Sequence, residues 1–460
     1  MQWQVTLRAF KLAITEELRR VCMPIRGSFD AAYGGGQTYV RDLAYALRQN
    51  GCDVTVLECI RNPNGGQVDS ANIGVSDRNG IRLLRLYLAE GSAQPQVEAA
   101  LREGITLANP DIVHAHGLKA FVARVCAEMG IPCIVTAHHG GLVCPAGALL
   151  DDKDAICHRA LEQQVCTNCC ARQQPLGRLW SAILSFMPFG LQLSVGRLLR
   201  RVPLVPYLTP ALTIPLQVQK KMLEVEELIA KSDRVIVPSK AMRGALLLNR
   251  WRTERVVVIP HGIPELGRTE IPSPSGRHVT RFAYVGRLSR VKGLHVLIQA
   301  LNRLTGDVEL HVVGRADSKW EKRYWTSVLK QVRRPEQVIQ HGYLSGSDYR
   351  KVVAGCDAVI LPSICLEVFG LSIAEAFSLG RPVIATDSGG PAEQVRNGLD
   401  GIIVPPNDVA ALAEAMQGFL DDPTKARSLA ENVREPIAIE THVAALGGLY
   451  TQCLNQDDSA

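Results

Sequence analysis

Twice along this chain, short apolar runs alternate with stretches of helical periodicity, and that rhythm restricts the fold more than any other feature. The first set is "CDVTVLEC", "IRLLRLYL", "PDIVHAHG" and "IPCIVTAHHG"; the second is "RFAYVGRL", "VELHVVGRAD", "VIQHGYL", "DAVILPS" and "RPVIATDSGG". Such runs are short, rich in Val, Ile and Leu and closed by Gly, Pro, Asp or Ser, the pattern of strands buried on both faces of a parallel sheet. Residues 260–278, "PHGIPELGRTEIPSPSGRH", separate the two sets and read as a linker because Pro, Gly and Ser dominate them. A length of 460 residues is ample for two cores. The fold class that follows is α/β, with two parallel-sheet domains facing a central cleft, since open sheets bind ligands at the carboxyl ends of their strands.

An internal echo points the same way. "DRVIVPS" (233–239) and "DAVILPS" (357–363) share Asp, Val, Ile, Pro and Ser, which either a duplicated domain or the common composition of buried strands would produce. Hydrophobic residues make up 47% of the chain and charged ones 21%, and no stretch of about 18 apolar residues is free of charge or proline, so no spanning helix is expected. The net charge of +6 suits an anionic ligand or an anionic membrane surface, and without dense basic runs it argues against a nucleic-acid partner. Residues 1–20 carry an apolar stripe at Leu7, Phe10, Ile14 and Leu18, broken by Arg8, Lys11 and Glu16. That is unlike a secretory signal and reads as a surface helix or non-native extension, the alternative being a helix lying on a membrane. Of the 13 cysteines, eight are scattered in apolar surroundings and read as reduced core thiols of a cytoplasmic protein.

The chemistry concentrates in "ICLEVFGLSIAEAFSLGRP" (364–382), where Glu367 and Glu375 flank Phe369, Gly370 and Leu371. "DAVILPS" before it is a strand, and "LSIAEAFSLG" has helical composition and stops at Gly380. Glu367 then lies in the loop and Glu375 about one turn into the helix. A helix start presents free N–H groups and the positive end of the dipole, and Gly370 lets a ligand approach the backbone, so a phosphate fits there. Two separated carboxylates fit the hydroxyl groups at the two ends of one long ligand; the plainer reading is a loop charge and a solvated helix residue. "YVGRLSRVKGLHVLIQAL" (284–301) adds Gly286, Arg287, Lys292 and Gly293 between a strand and a helix, and those two cations can neutralise a diphosphate. "VVGRAD" and "QHGYL" end strands in Gly314 and Gly342, which permits close approach of a flat base.

The order GR-x4-KG, VVG, HGYL, D-x4-PS, E-x7-E, SGGPAE and "DGIIVPPND" resembles the C-terminal domain of family-4 glycosyltransferases, also called glycosyl transferases group 1. These are retaining, nucleotide-sugar-dependent enzymes of the GT-B fold, two Rossmann-like domains facing a cleft. The resemblance covers about 160 residues with several motifs in order. It implies that Arg287 and Lys292 hold the diphosphate, that Glu367 faces the donor sugar, and that the backbone of Phe369, Gly370 and Leu371 binds phosphate. It further implies that Glu375 takes the ribose hydroxyls and that Gly286, Gly314 and Tyr343 line the donor site. "AAYGGGQTYVRDLAYALRQNGCDVTVLE" (31–58) is similar to the family's opening glycine loop and assigns Gly35 and Gly36 to donor binding; Pro24, inside the expected first strand, departs from it. By the same resemblance His138 in "IVTAHHGG" is the catalytic histidine beside the transferred sugar, with His114 and His116 as weaker candidates, and the departing diphosphate takes the acceptor's proton. A buried, satisfied histidine is the plainer reading of each.

"DDKDA" contains a formal Asp-x-Asp at Asp152 and Asp154; among so many charges it reads as solvated surface, and no cofactor is expected for catalysis. Five cysteines crowd residues 144–170. Cys166-x2-Cys169 has metal-ligand spacing, and Cys144 and Cys157 would complete a tetrahedral set, so a structural zinc or iron-sulfur site competes with free or redox-active thiols. Residues 175–221 mix apolar runs with Arg178, Arg197, Arg200, Arg201, Lys220 and Lys221, which suits an interfacial surface or packed acceptor-domain helices equally.

The domains expected are an extension at 1–20, an acceptor-binding domain at 21–262, a linker at 263–279, a nucleotide-sugar domain at 280–435, and a C-terminal helix and tail at 436–460 that packs back on the first domain. The expected function is sugar transfer from a nucleotide-diphosphate sugar to a glycan or lipid-linked acceptor for surface polysaccharide or glycolipid, in the cytoplasm at the inner face of the membrane. Another GT-B enzyme, an epimerase or phosphorylase, or an inactive binding protein are the alternatives.

Overall fold

The computed structural model describes residues 19–30, 34–61, 73–88, 94–174, 176–200, 210–271 and 279–455. The expectation for residues 1–18 lies outside them. Two sheets form, one on each side of the linker. The first holds β1 (Arg20–Arg26), β2 (Asp53–Arg61), β3 (Gly74–Arg78), β4 (Ile81–Leu88), β5 (Ile112–Ala115), β6 (Cys133–Thr136), β7 (Arg234–Val237) and β8 (Val256–Val258), in the order β3-β4-β2-β1-β5-β6-β7-β8. The second holds β9 (Thr280–Val285), β10 (Val308–Val313), β11 (Val338–Gly342), β12 (Ala358–Leu361), β13 (Val383–Thr386) and β14 (Gly401–Val404), in the order β11-β10-β9-β12-β13-β14. All pairings are parallel except β3 with β4, and β3, exposed at every residue, is an edge that the apolar rhythm did not foreshadow. Each sheet winds outward in both directions from its first strand. Chain order therefore reverses between β1 and β5 and between β9 and β12, where loops diverge and leave a crevice.

Local chemistry explains the register. Asp111, Asp233 and Asp357 each stand just before a buried strand and accept a backbone N–H from the strand alongside: Arg20 at 2.7 Å, Cys133 at 2.7 Å and Arg281 at 2.7 Å. This also accounts for the echo. "DRVIVPS" forms β7 and "DAVILPS" forms β12, which occupy non-equivalent places in their sheets, so the shared residues report a shared strand-start device and not matched positions in a duplicated unit. Pro24 lies mid-strand without breaking the sheet. Its partner on the β2 side is Leu57 in an unbroken ladder, whereas the β5 ladder ends at Cys22 and Val113, and beyond it the Pro24 carbonyl accepts from the N–H groups of His116 and Gly117. The missing donor falls where β1 and β5 part.

One face of the first sheet packs Leu57, Val113, Val135 and Val235 against the helices Gln94–Ala108 and Lys119–Met129. The other packs Val21, Met23 and Val56 against the helix Gly35–Gln49 and against Val443, Leu446, Leu449 and Tyr450 of the helix Ile439–Leu454. That last helix follows the whole second domain in sequence yet completes the core of the first. The chain crosses between domains where Ile263 and Ala438 form a parallel bridge. Arg381, fully buried, fixes the linker to the second domain, donating to the carbonyls of Thr269 (2.9 Å), Glu270 (3.1 Å) and Ala354.

Candidate functional site

The two crevices face each other. Gly370 takes φ 92°, a left-handed conformation that favours glycine, as the residue capping the helix Leu371–Ser378, and it leaves that helix start without a side-chain cap. Glu367 precedes Gly370 in the loop that follows β12. Its carboxylate is buried, pairs with Lys292, and accepts from Ser363 Oγ at 2.6 Å. Burial alone would raise this carboxyl; the charge and hydrogen bond of Lys292, then Ser363 and Arg287, outweigh it and hold it below the usual carboxylate range. Lys292 closes the short turn Arg290–Lys292, and Arg287 stands half-exposed with Nη1 3.7 Å from Glu321 Oε1. Cations at Arg287, Arg290 and Lys292 beside an uncapped helix start can take up an anion.

Glu375 lies one turn into the same helix and accepts from Tyr349 Oη at 2.6 Å. Burial pushes its carboxyl up to about 7, against the Tyr349 hydrogen bond and with help from Asp42 across the cleft, which burial itself raises to about 6. An acid at this balance can accept or donate to a sugar hydroxyl. The glycine loop of the first domain closes the opposite wall. A Cβ on Gly34 would meet Arg287 Cδ at 3.7 Å, one on Gly35 would meet Leu371 Cδ1 at 3.1 Å, and one on Gly36 would meet His138 Cγ at 3.7 Å. The glycine loop thus approaches Arg287, Leu371 and His138, and the Lys292–Glu367 pair, Phe369 and Gly370 adjoin them on the second domain.

Gly314 and Gly286 meet where two neighbouring strands end. At φ 152° Gly314 packs on Gly286, and a Cβ there would sit 1.8 Å from the Gly286 carbonyl oxygen. Tyr343 stands at the rim, 42% exposed, under the Arg315 guanidinium at 5.6 Å. A separate cavity of about 400 Å³ opens beside Gly314 between Val312, Lys322, Trp325 and Gln340, and neither Glu367 nor Glu375 lines it.

His138 belongs to a larger set. Its Nε2 lies 2.9 Å from His116 Nδ1; His114 bridges Thr136 Oγ1 and Tyr450 Oη at 2.6 Å each; Tyr39 Oη lies 2.8 Å from His442 Nε2; and His261 packs on Tyr39 with ring centroids 4.0 Å apart. His261 also meets Phe369 edge to face at 5.2 Å, which ties the linker to the loop before the helix Leu371–Ser378. Burial and neighbouring imidazoles push His116, His138 and His261 well below the ordinary histidine value, with Lys119 adding to the shift of the first two. A neutral His138 serves as a hydrogen-bond partner to a sugar hydroxyl more readily than as an acid.

Sequence reasoning missed Ser363, Tyr349, Asp42, His261 and His442. Only Ser363 had a signal, as the last residue of the echo. Asp152 and Asp154, expected to be solvated, are both ion-paired, to Arg172 at 3.3 Å and to Arg290. The thiols are gathered but not closed into a set. Cys166 and Cys169 share the helix Gln163–Arg172, and burial raises each to about 11 with added repulsion from Cys144 and Cys157. Among the described residues no three His, Cys, Asp or Glu side chains form a group that could hold a metal ion, so the tetrahedral set of Cys144, Cys157, Cys166 and Cys169 is not assembled here.

Comparison with known proteins agrees with this geometry. Residues 33–169 match the profile "Glycosyltransferase Family 4" and residues 272–436 match "Glycosyl transferases group 1", between them more than half of the chain. A glycogen synthase of Mycobacterium tuberculosis is 31% identical over 221 residues, covering 45% of this chain and 50% of that protein. A phosphatidyl-myo-inositol mannosyltransferase of Mycobacterium leprae is 30% identical over 184 residues, covering 38% and 48%. The chain thus spans about half the length of the curated relatives it matches. In fold it is similar to a sucrose-phosphate synthase from Thermosynechococcus elongatus, with TM-score 0.66, 20% identity and coverage of 95% of this chain and 100% of the other. It is likewise similar to Anabaena HepE in complex with UDP and glucose, with TM-score 0.62, 19% identity and coverage of 94% and 99%. Two opposed Rossmann-like sheets, a cationic turn at Arg287–Lys292 and matches in both halves lead to one assignment: the chain belongs to the family-4 glycosyltransferases of the GT-B fold.

Proposed function

We propose that the chain is a retaining glycosyltransferase that moves a sugar from a nucleoside-diphosphate sugar to a glycan or lipid-linked acceptor in the making of surface polysaccharide or glycolipid. The observation that carries this reading is the Lys292–Glu367 pair at the open start of the helix Leu371–Ser378, with Arg287 beside it and Gly34–Gly36 opposite. The diphosphate lies against that helix start and the two cations. The donor sugar sits between Glu367 and His138, and the nucleoside ribose reaches Glu375. As the bond from the sugar to the diphosphate oxygen breaks, Arg287 and Lys292 take up the developing charge. The acceptor oxygen bonds to the sugar carbon on the same face, and its proton passes to the departing diphosphate oxygen. The known UDP complex of a protein of the same fold supports a nucleotide donor.

A thermal-shift series with UDP-, GDP- and ADP-sugars tests the reading. A sugar nucleotide at about 100 times its dissociation constant should add roughly 2.7 kcal/mol to the stability of the wild type, and Glu375→Ala should lose most of that shift. No shift with any of the three, or an undiminished shift in the variant, would remove the assignment.

The acceptor-side helices support peripheral work at the inner face of the membrane. Among the described residues no helix is long and apolar enough to cross a membrane. Leu176 (72% exposed), Leu179, Ile183 and Phe186 (90% exposed) instead form a stripe along the helix Gly177–Ser185, and Leu191 and Leu198 lie a heptad apart on the helix Phe189–Arg200. Gln192 locks the two together by donating to the carbonyls of Leu184 and Met187 at 2.7 and 2.8 Å. Arg178, Arg197, Arg200 and Lys220 are exposed on these helices and the one that follows. Cations at an anionic leaflet contribute about 1 kcal/mol each, and burying a Phe or Leu about 1.5–3 kcal/mol. Phe186→Asp should therefore weaken binding to vesicles containing phosphatidylglycerol about 10-fold or more; equal binding by wild type and variant in a flotation assay would rule this surface out.

A further inference from the structure

The loop carrying Cys144 and Cys157 joins the two domains at one pair of consecutive residues. After the turn Gly140–Leu142 the chain forms a small hairpin, in which Leu150 and Ile156 make an antiparallel bridge and Asp151 N–H donates to the Ala155 carbonyl at 2.8 Å. Asp151 Oδ1 closes its tip by accepting from the N–H groups of Lys153 and Ala155, at 2.8 and 3.0 Å. Cys157 N–H returns to the Leu149 carbonyl at 2.8 Å, so the two cysteines flank the hairpin. Leu149 is buried in the core of the first domain with Leu142 and Val143; Leu150 is buried in the core of the second with Leu288, Ile364 and Cys365. Leu149 takes φ 50°, a left-handed conformation that a leucine adopts only under constraint from its surroundings. Beyond it, Asp154 Oδ2 meets Arg290 Nη2 at 2.5 Å, at the first residue of the turn whose last residue, Lys292, holds Glu367.

We propose that residues 148–156 are a strap through which the first domain fixes the turn Arg290–Lys292, making Leu150 and Asp154 positioning residues for the donor diphosphate. The proposal rests on the reading of that turn as the diphosphate site. Its two contacts differ in weight. An ion pair as exposed as Asp154–Arg290 contributes little by itself, whereas a buried leucyl side chain contributes much. Leu150 anchors the strap, and the ion pair sets where along the turn it lies. Donor affinity is then a property of both domains, although every group expected to touch the diphosphate except the glycine loop belongs to the second. The thiols at the ends of the strap lie one step from the same control.

The test uses the full chain with three variants, Leu150→Ala, Asp154→Ala and Asp154→Glu. Binding of UDP, GDP and ADP is measured by calorimetry, and amide exchange is followed in the apo proteins. For whichever diphosphate binds the wild type, Leu150→Ala should weaken affinity about 10-fold and Asp154→Ala about 3-fold, while Asp154→Glu should restore it. Exchange should rise at residues 286–293 and stay at the wild-type level in β9, β12 and β13. Unchanged affinity in both alanine variants, or a uniform rise in exchange through the second domain, overturns the strap. If no diphosphate binds the wild type, the donor-site reading falls and takes the positioning role with it, while the exchange pattern still reports whether the strap holds the turn.

Discussion

Replacing Lys292 with methionine is expected to lower the rate of sugar transfer about 10²- to 10³-fold while leaving the fold intact, the magnitude seen when one preorganised charge is removed from a developing anion. Lys292 acts on two charges at once. In the proposed reaction it neutralises the diphosphate, and it is the principal group that keeps Glu367 ionised in a buried position. In Lys292→Met the Glu367 carboxyl should rise above its usual range, because desolvation then faces only Ser363 and the more distant Arg287. Glu367→Gln should cost less than Lys292→Met, since a neutral amide can still accept from Ser363 and still face the sugar. The double variant should fall short of the product of the two single effects, because each removes the same pair. Steady-state rates with the donor found by thermal shift would check all three. A drop below about 5-fold in well-folded Lys292→Met would mean that the pair is structural only.

The second large effect concerns acid. Between pH 6.5 and about pH 4 the chain should lose stability steeply, because burial holds His114 at about 3 and His442 at about 4, while in the unfolded chain both titrate near 6.5. The folded values are depressed, so the unfolded chain binds protons first as pH falls. Stability is full above 6.5 and is lost on the way down. At pH 5 each of these two groups costs about 2 kcal/mol, and together about 4 kcal/mol of the roughly 5–15 kcal/mol that a folded domain commands. His116, His138 and His261 are shifted the same way and add to the loss. Urea midpoints at pH 7.5 and 5.0 would show it, with His442→Gln, which keeps a partner for Tyr39 Oη, losing less than the wild type. Equal midpoints at both pH values would mean that the imidazoles gain solvent without unfolding.

How much of this could be read beforehand depended on whether a residue's role is set by its neighbours in sequence. Glu367, Gly370 and Glu375 could be placed because strand, loop and helix start follow one another within 19 residues, and Arg287 and Lys292 for the same reason. Tyr349 and Asp42 reach Glu375 from another helix and another domain, and no local pattern announces such a meeting. His261 and His442 lie in a proline-rich linker and a terminal helix, and only the crossing of the chain at Ile263 and Ala438 brings them to His138. Gly314 was recognised as constrained, but its contact with Gly286 at the end of the neighbouring strand could not be read from its own stretch. Asp152 and Asp154 looked solvated because charge density predicts exposure, not the partner an exposed charge finds.

The helix Ile439–Leu454 bears on how the protein is made. Val443, Leu446, Leu449 and Tyr450 sit among residues that begin at Val21, so a ribosome must read past codon 450 before the first sheet can be sealed on that side. The donor half, contiguous from β9 to β14, has no such wait and can mature while its predecessor is still open. For this chain the customary order of synthesis is inverted: the half that emerges first is finished last, and during that interval its apolar flank is what a chaperone would meet.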